Sequence, residues 1–274
     1  MPKYLETKDP FWYTSLGAHK GGIASFKKYG HIGGDPEYRK KKWHEWWQSS
    51  GRFRKDMITF PIKVIKPSKS KELAEFVGIL LGDGAITKKQ ITITLHKVDD
   101  RDFTDYICYL IEKLFHLKPA LYERESVNNI VISRTELVRY FVKNLGLHIG
   151  SKIRQQVDVP MWIKKSGIFS RACSKGLFDT DGCFYIDKHK YNNKTYLNCG
   201  MNFTNRALPL LSFFKETLQK YNLSPTQKTH YSIFLRREED IIKYFDKIGS
   251  SNPKHYNKFN NFLINKHGEV PKWS

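Results

Sequence analysis

One pattern occurs twice in this chain, and any fold must accommodate both copies. Phe76-Val77-Gly78-Ile79-Leu80-Leu81-Gly82-Asp83-Gly84 and Ser174-Lys175-Gly176-Leu177-Phe178-Asp179-Thr180-Asp181-Gly182 each read as Gly, four residues, Asp-Gly. Each closes a run that can be helical, Lys71 to Leu81 and Ser170 to Phe178, and each is followed by strand-favouring residues, Ala85-Ile86-Thr87 and Cys183-Phe184-Tyr185-Ile186. Gly78 and Gly82 are four apart, as are Gly176 and Thr180, so each helix carries a stripe of small residues where another backbone can come close. The spacing predicts that the two helices lie side by side. Gly84 and Gly182 suit a left-handed residue that stops a helix, which leaves Asp83 and Asp181 in the last turn. A carboxylate there repels the partial negative charge of the helix end unless a cation intervenes. A hard divalent cation held by carboxylate, carbonyl and water oxygens resolves the conflict.

The charge points to the partner. With 47 Lys and Arg against 27 Asp and Glu, a formal net charge of +20 favours a polyanion, nucleic acid before an anionic membrane. No apolar run approaches the length needed to span a bilayer, and Met1-Pro2-Lys3-Tyr4 opens no signal peptide, so an intracellular chain is expected: cytoplasmic in a prokaryote, organellar or nuclear in a eukaryote. Cys108, Cys173, Cys183 and Cys199 lack C-x-x-C spacing and read as buried free thiols. Gly82-Asp83-Gly84 lacks the third glycine of a dinucleotide loop, and Gly17 to Gly22 is no P-loop.

Residues 1–70 form a basic extension, with fifteen Lys and Arg against six acids, two glycine pairs and the run Arg39-Lys40-Lys41-Lys42-Trp43-His44-Glu45-Trp46-Trp47. Tryptophans at i, i+3 and i+4 favour a short docked helix with its lysines toward nucleic acid; an arm tracking phosphates is the other reading. The glycine pairs loosely resemble small nuclease-associated DNA-binding modules. Phe60 to Pro67 reads as an extended connector.

Residues 71–165, the first repeat with a linker, and 166–274, the second, follow one order of elements. Gln90, Thr92, Thr94 and His96 alternate with Ile91, Ile93 and Leu95, giving an uncharged hydrogen-bonding face that suits base edges in a major groove, or else simply faces water. Asp99-Asp100-Arg101-Asp102 reads as a helix cap. A second hairpin, Ala120 to Glu125 and Asn129 to Ser133 with its turn near Asn128-Asn129, precedes a closing helix, Glu136 to Leu145. The second repeat offers strands Cys183 to Lys188 and Thr195 to Thr204 around Asn192-Asn193, a helix Ala207 to Tyr221, a short hairpin and a helix Glu238 to Ile248. Both repeats then reach Ile-Gly-Ser, at Ile149-Gly150-Ser151 and Ile248-Gly249-Ser250. The outward residues of the second repeat differ from those of the first, as an asymmetric target requires. The candidate DNA contacts are Thr87, Lys88, Lys89, Gln90, Thr92, Thr94, His96, Arg124 and Arg134 in the first repeat, and Tyr185, Asp187, His189, Lys190, Lys194, Tyr196, Asn198, Lys228 and Arg236 in the second, with Asn202 also facing outward.

The paired segments resemble the two signature helices of the LAGLIDADG homing endonucleases, in the single-chain form with both motifs; the likeness covers about residues 71–274. It implies an α+β fold of two pseudo-symmetric αββαββα repeats with saddle-shaped antiparallel sheets. It also implies catalytic, metal-binding carboxylates at Asp83 and Asp181, with Gly82 and Thr180 as adjoining metal contacts. The sixth motif position, often acidic, is Leu81 in one copy and Asp179 in the other. A basic residue near each site is expected from Lys152 or Arg154 and from Lys254 or Lys258, with Lys152 and Lys254 as the catalytic candidates; a lysine often found before the following proline is Val157 here. The implied function is a monomeric, site-specific endonuclease that breaks both strands of double-stranded DNA with 3′ overhangs. Its cofactor would be Mg2+, with Mn2+ able to substitute and Ca2+ supporting binding without cleavage. The alternatives are an inactive relative acting as an RNA intron maturase or a DNA-binding regulator, and a structural nucleic-acid-binding protein. The expectation is against an intein, because no splicing domain flanks the repeats and the chain ends Val270-Pro271-Lys272-Trp273-Ser274.

Overall fold

The computed structural model describes residues 16–30, 35–54, 64–191 and 194–267. The chain forms two compact units, Met1–Pro61 and Ile62–Ser274. In the first, α1 is Leu16–Tyr29 and α2 is Pro36–Ser49, followed by a single 3-10 turn at Gly51–Phe53. The tryptophan run is helical, as its spacing predicts. Of the Phe60 to Pro67 connector, residues 60–63 lie outside the described residues, and 64–67 have no regular structure.

The second unit is one plan executed twice. Its first repeat runs α3 (Lys71–Gly82), β1 (Gly84–Ile86), β2 (Ile91–His96), α4 (Arg101–Phe115), β3 (Ala120–Glu123), β4 (Val127–Ile132) and α5 (Thr135–Lys143). Two short helices, α6 (Lys152–Gln155) and α7 (Met161–Lys164), lead into the second: α8 (Gly167–Asp181), β5 (Gly182–Tyr191), β6 (Lys194–Thr204), α9 (Leu208–Lys220), β7 (Thr226–Thr229), β8 (Ser232–Leu235) and α10 (Glu238–Lys247). A final helix, α11 (Pro253–His267), follows. The two antiparallel four-stranded sheets have the same strand order, β1-β2-β4-β3 and β5-β6-β8-β7. The αββαββα expectation is met in both repeats.

The seam between the repeats is α3 against α8. Ser70 and Ser166 start these helices by accepting the amides of Leu73 and Phe169. Every residue from Leu73 to Leu81 is buried, so α3 shows no solvent face between its two ends. The small-residue stripes work as the spacing predicts. A Cβ on Gly78 would stand 2.2 Å from the Cys173 carbonyl oxygen, and one on Gly176 would stand 2.3 Å from that of Glu75. Only backbones without side chains can lie this close, and the flanking Phe76, Val77, Ile79, Leu177 and Phe178 fill the space on either side.

Four readings need correction. Gly84 and Gly182 are not left-handed; Gly182 has φ −94° and ψ 159°, and the chain passes straight from helix into strand. Glycine is needed there for room, since a Cβ at Gly84 would lie 2.5 Å from the Leu80 oxygen and one at Gly182 would lie 2.4 Å from that of Phe178. Glycines with positive φ lie elsewhere among the described residues, Gly150 and Gly249 of the two Ile-Gly-Ser copies among them, at φ 99° and 78°. The β3–β4 turn falls at residues 124–126, closed by the Arg124 amide donating to Val127, so Asn128 and Asn129 are strand residues. Cys183 is exposed and Cys108 half-buried, while Cys173 and Cys199 are buried; all four are free. The fourth is Asp100, whose carboxylate turns into the site and does not cap its helix.

Candidate active site at the ends of the paired helices

The close approach of α3 and α8 brings their C-terminal ends together. A Cβ on Gly82 would stand 1.9 Å from Thr180 Oγ1 and 3.3 Å from an Asp181 carboxylate oxygen, so the two Asp-Gly ends meet at the seam. Asp83 ends α3 as its cap residue, its amide donating to Ile79, and Asp181 is the last residue of α8. Burial pushes the Asp83 carboxyl above its ordinary range, and Lys152 works against that rise. Burial and then the charge of Asp83 push Asp181 up to about 6. Two desolvated carboxylates at two helix ends are thus frustrated as they stand.

Cations already answer this frustration. Lys152 Nζ donates to the Gly82 carbonyl and, at 3.4 Å, to that of Leu80, two carbonyls at the end of α3. Burial lowers the Lys152 ammonium, while Asp181 and Asp83 both hold it up. Asn205 donates to Asp181 Oδ2 at 2.8 Å. The hydroxyl of Thr180 turns back on its own helix, toward the Gly176 and Leu177 carbonyls.

Asp100 stands at the cap position of α4 but makes no side-chain capping bond. The expectation of a simple cap fails because the carboxylate turns inward. It takes Lys254 Nζ at 2.6 Å and Asn252 Nδ2 at 2.9 Å, and it also accepts the His96 amide. Burial works to raise Asp100, but these bonds, led by that from Lys254, hold it below the ordinary range. Lys254 also acts on Asp83, so the ion pair borders the first carboxylate. Arg154 and Lys258, the other basic candidates, are exposed, and Val157 is a core residue.

A buried chain of polar groups runs along the seam from this corner. Asn252 donates to the Asp179 carbonyl at 3.2 Å, and the Asp179 carboxylate accepts the Ser251 amide at 2.8 Å and the Ser250 hydroxyl. Ser251 Oγ donates to Glu75 at 2.6 Å, and Glu75 also holds Tyr106 and Lys175, each at 2.7 Å. Burial pushes Asp179 up to about 7. Leu81, its counterpart, is plain core.

The candidate DNA residues spread over both sheets. Strand register puts Thr92, Thr94 and His96 on one face with Tyr122, Asn129 and Val131. Thr94 Oγ1 bonds Asn129 Oδ1 at 2.7 Å, and His96 Nδ1 accepts the Asp99 amide at 3.1 Å, so His96 is partly committed to its own loop. Thr87, Lys88 and Lys89 are exposed in the β1–β2 turn, with Gln90 half-buried beside them. Arg124 lies at the β3–β4 turn, and Arg134, just beyond β4, donates to the Ser133 carbonyl. In the second sheet Tyr185, Asp187 and His189 pair across from Gly200, Asn198 and Tyr196, and the Tyr185 ring covers Gly200. Lys190 and Lys228 are exposed, and Arg236 stacks over Phe234 at 5.1 Å. The side chains of Lys194 and Tyr196, and the Asn192-Asn193 loop, lie outside the described residues. Sequence reasoning missed Asn205, Asn252 and the inward role of Asp100. It also missed Tyr122 and Asn129, because a misplaced turn hid their face.

Residues 175–264 match the family model described as LAGLIDADG endonuclease. That match falls within the second repeat. The first repeat has the same order of elements and strands. The replication factor C small subunit of Methanocaldococcus jannaschii is 27% identical over 192 residues, which is 69% of this chain and 10% of that protein; the chain thus spans about a tenth of its relative's length. A single-substitution variant of I-SmaMI aligns over 70% of this chain and 92% of its own, with 12% identity and a TM-score of 0.51, a likeness of fold. The crystal structure of I-DmoI in complex with DNA and Mn aligns over 66% of this chain and 97% of its own, with 18% identity and a TM-score of 0.43. Among the described residues, no helix is long and apolar enough to cross a membrane.

Proposed function

We propose that this LAGLIDADG chain is a site-specific DNA endonuclease that uses divalent metal to cut both strands of a long, asymmetric duplex target. The observation that carries the reading is the meeting of Asp83 and Asp181 at the ends of α3 and α8, with Lys152 seated on the Gly82 carbonyl. The formal net charge of +20, the two outward sheet faces and the family's description support it.

The residues at the seam fit a hard divalent cation. Two carboxylates are held at unfavourable helix ends, and the Gly82 carbonyl already receives a cationic group. Among the described residues no three His, Cys, Asp or Glu side chains gather at one point, so phosphate and water oxygens would complete the shell. Asp83 and Asp181 would hold Mg2+, which when bound polarises the phosphoryl oxygens and lowers the pKa of a coordinated water. The chain's own work is electrostatic and positional. Lys152 supplies positive charge at the seam, between the two carboxylates that act on it. Lys254, fixed by Asp100 and Asn252, supplies it beside Asp83, and Asn205 orients Asp181. Repeats related by a pseudo-two-fold axis would match one scissile phosphate on each strand, and the sheets would read base edges on either side.

The test is incubation of the whole chain with a randomised duplex library in Mg2+ and, separately, in Ca2+, followed by sequencing of broken ends. Discrete Mg2+-dependent double-strand breaks with 3′ overhangs are expected, and their loss or reduction to nicks in Asp83→Asn and Asp181→Asn. Site-selective binding without cleavage under any condition would overturn the nuclease and leave a DNA-binding regulator or maturase.

A further inference from the structure

The α2 helix lies outside the unit that carries the paired helices, and its surface is built unlike a merely solvated helix. Asp35 caps it by accepting the Glu37 amide at 2.9 Å, and Pro36 opens its first turn. None of its residues is buried. At about 100° per residue, Arg39, Lys40, Trp43, His44 and Trp47 fall on one face, while Lys41 and Glu45 fall on the other. Trp46 and Trp47 close over Gly51, where a Cβ would stand 2.7 Å from the Trp46 ring and 2.9 Å from that of Trp47. Trp47 in turn stacks on Trp43 at 5.5 Å with 9° between the planes. The stack braces Trp43 yet leaves it 53% exposed beside Arg39, Lys40 and His44.

This face is costly in water. Of the four consecutive cations, Lys42 has Glu45 at 2.8 Å, whereas Arg39, Lys40 and Lys41 have no carboxylate within ion-pair distance among the described residues. A polyanion with apolar sugar surfaces relieves both costs: phosphates take the cations and release counterions, and an indole packs on the deoxyriboses between them.

We propose that α2 is a second DNA-binding element. Arg39 and Lys40 take phosphates of duplex DNA, and Trp43 packs against the same stretch of backbone. The choice of duplex DNA rests on the proposed function; the binding face does not.

The test measures the full chain binding a labelled non-specific duplex in Ca2+ across a salt series. Arg39→Ala/Lys40→Ala is compared with the equally charged Lys41→Ala/Lys42→Ala, and circular dichroism checks that both are folded. Removing Arg39 and Lys40 is expected to lower the salt slope by about 2, at about 0.9 per phosphate, while the Lys41/Lys42 variant changes it by less than half as much. Trp43→Ala, which removes apolar area buried against the sugars, is expected to weaken binding about fivefold with little change of slope. Equal effects of the two double variants, or no change in either, would overturn the assignment. A duplex RNA that competes better than the DNA would overturn the choice of DNA. The slopes do not depend on cleavage, so a chain that binds through α2 but never cuts would contradict the nuclease and leave this face standing.

Discussion

The two repeats follow the same path and end in different corners. At the end of α3, Asp83 stands beside a finished ion pair, Lys254 on Asp100, contributed partly by the other repeat. At the end of α8, Asp181 has an amide, Asn205, and shares Lys152 with Asp83. The sixth motif position differs likewise: Leu81 is core, while Asp179 anchors the loop that delivers Asn252 and Lys254. The two repeats share a frame and differ in the charges at its corners. Lys254, beside Asp83, is held by an ion pair with Asp100; Lys152, which acts on both Asp83 and Asp181, rests on backbone carbonyls.

This inequality can be broken one strand at a time. The largest effect expected is from Asp83→Asn and Asp181→Asn, each removing a proposed metal ligand worth several kcal/mol of charge stabilisation, or about a thousandfold in rate. On a supercoiled plasmid carrying the target, each should leave an open circle, nicked on opposite strands. Nicking of the same strand by both would contradict a one-carboxylate-per-strand division.

Next come the groups behind the carboxylates. Loss of such an outer partner costs about 10- to 100-fold. Asp100→Asn should slow one strand and Asn205→Ala the other, as read by strand-labelled cleavage. A uniform slowing of both strands by either would mean that the corners are not separate.

The seam itself sets a smaller scale. Gly176→Ala forces a Cβ to 2.3 Å from the Glu75 carbonyl, and overpacking of this kind costs about 1–3 kcal/mol. Chemical denaturation should show that loss; an unchanged midpoint would mean that the helices are not in backbone contact.

The smallest effect is on pH dependence. Asp181 lies at about 6 and Asp179 at about 7 when folded, against 3.8 for the free group. Each binds its proton more tightly folded than unfolded. Its contribution is therefore full below about pH 4 and is lost as pH rises through its folded value. Other carboxylates act in the opposite sense, so the informative quantity is wild type minus Asp181→Asn. Without metal, the variant should gain melting temperature relative to wild type as pH climbs from about 5 to about 7, and Mg2+ should raise the wild-type value more at the higher pH. Parallel curves would mean that Asp181 is not desolvated.

Much of this was legible in the chain. Two Asp-Gly motifs with four-residue small spacing specify two helices that can touch, and the alternation in β2 specifies which side of a sheet faces out. The corners were not legible, because Asn205, Asn252 and Asp100 lie far apart in sequence and have no periodic signature. Asp100 looked like a helix cap because Asp-Asp-Arg-Asp before an amphipathic run usually is one. The Asn128-Asn129 pair looked like a turn for the same local reason, and strand pairing with β2 overrode it.

The backbone-to-backbone seam has a further consequence. An interface of side chains is a private agreement, because changing one partner demands a change in the other. Bare glycine against a neighbouring carbonyl makes no such demand, since it asks only that nothing be there. Along α3 and α8 each repeat could therefore accumulate substitutions on its own account, or be exchanged for another of the same frame. The exceptions are the polar contacts between the repeats, where Glu75 meets Ser251 and Lys175 and where Asp100 meets Asn252 and Lys254. Two repeats exchanged between such proteins should join readily wherever these polar contacts are carried across with them.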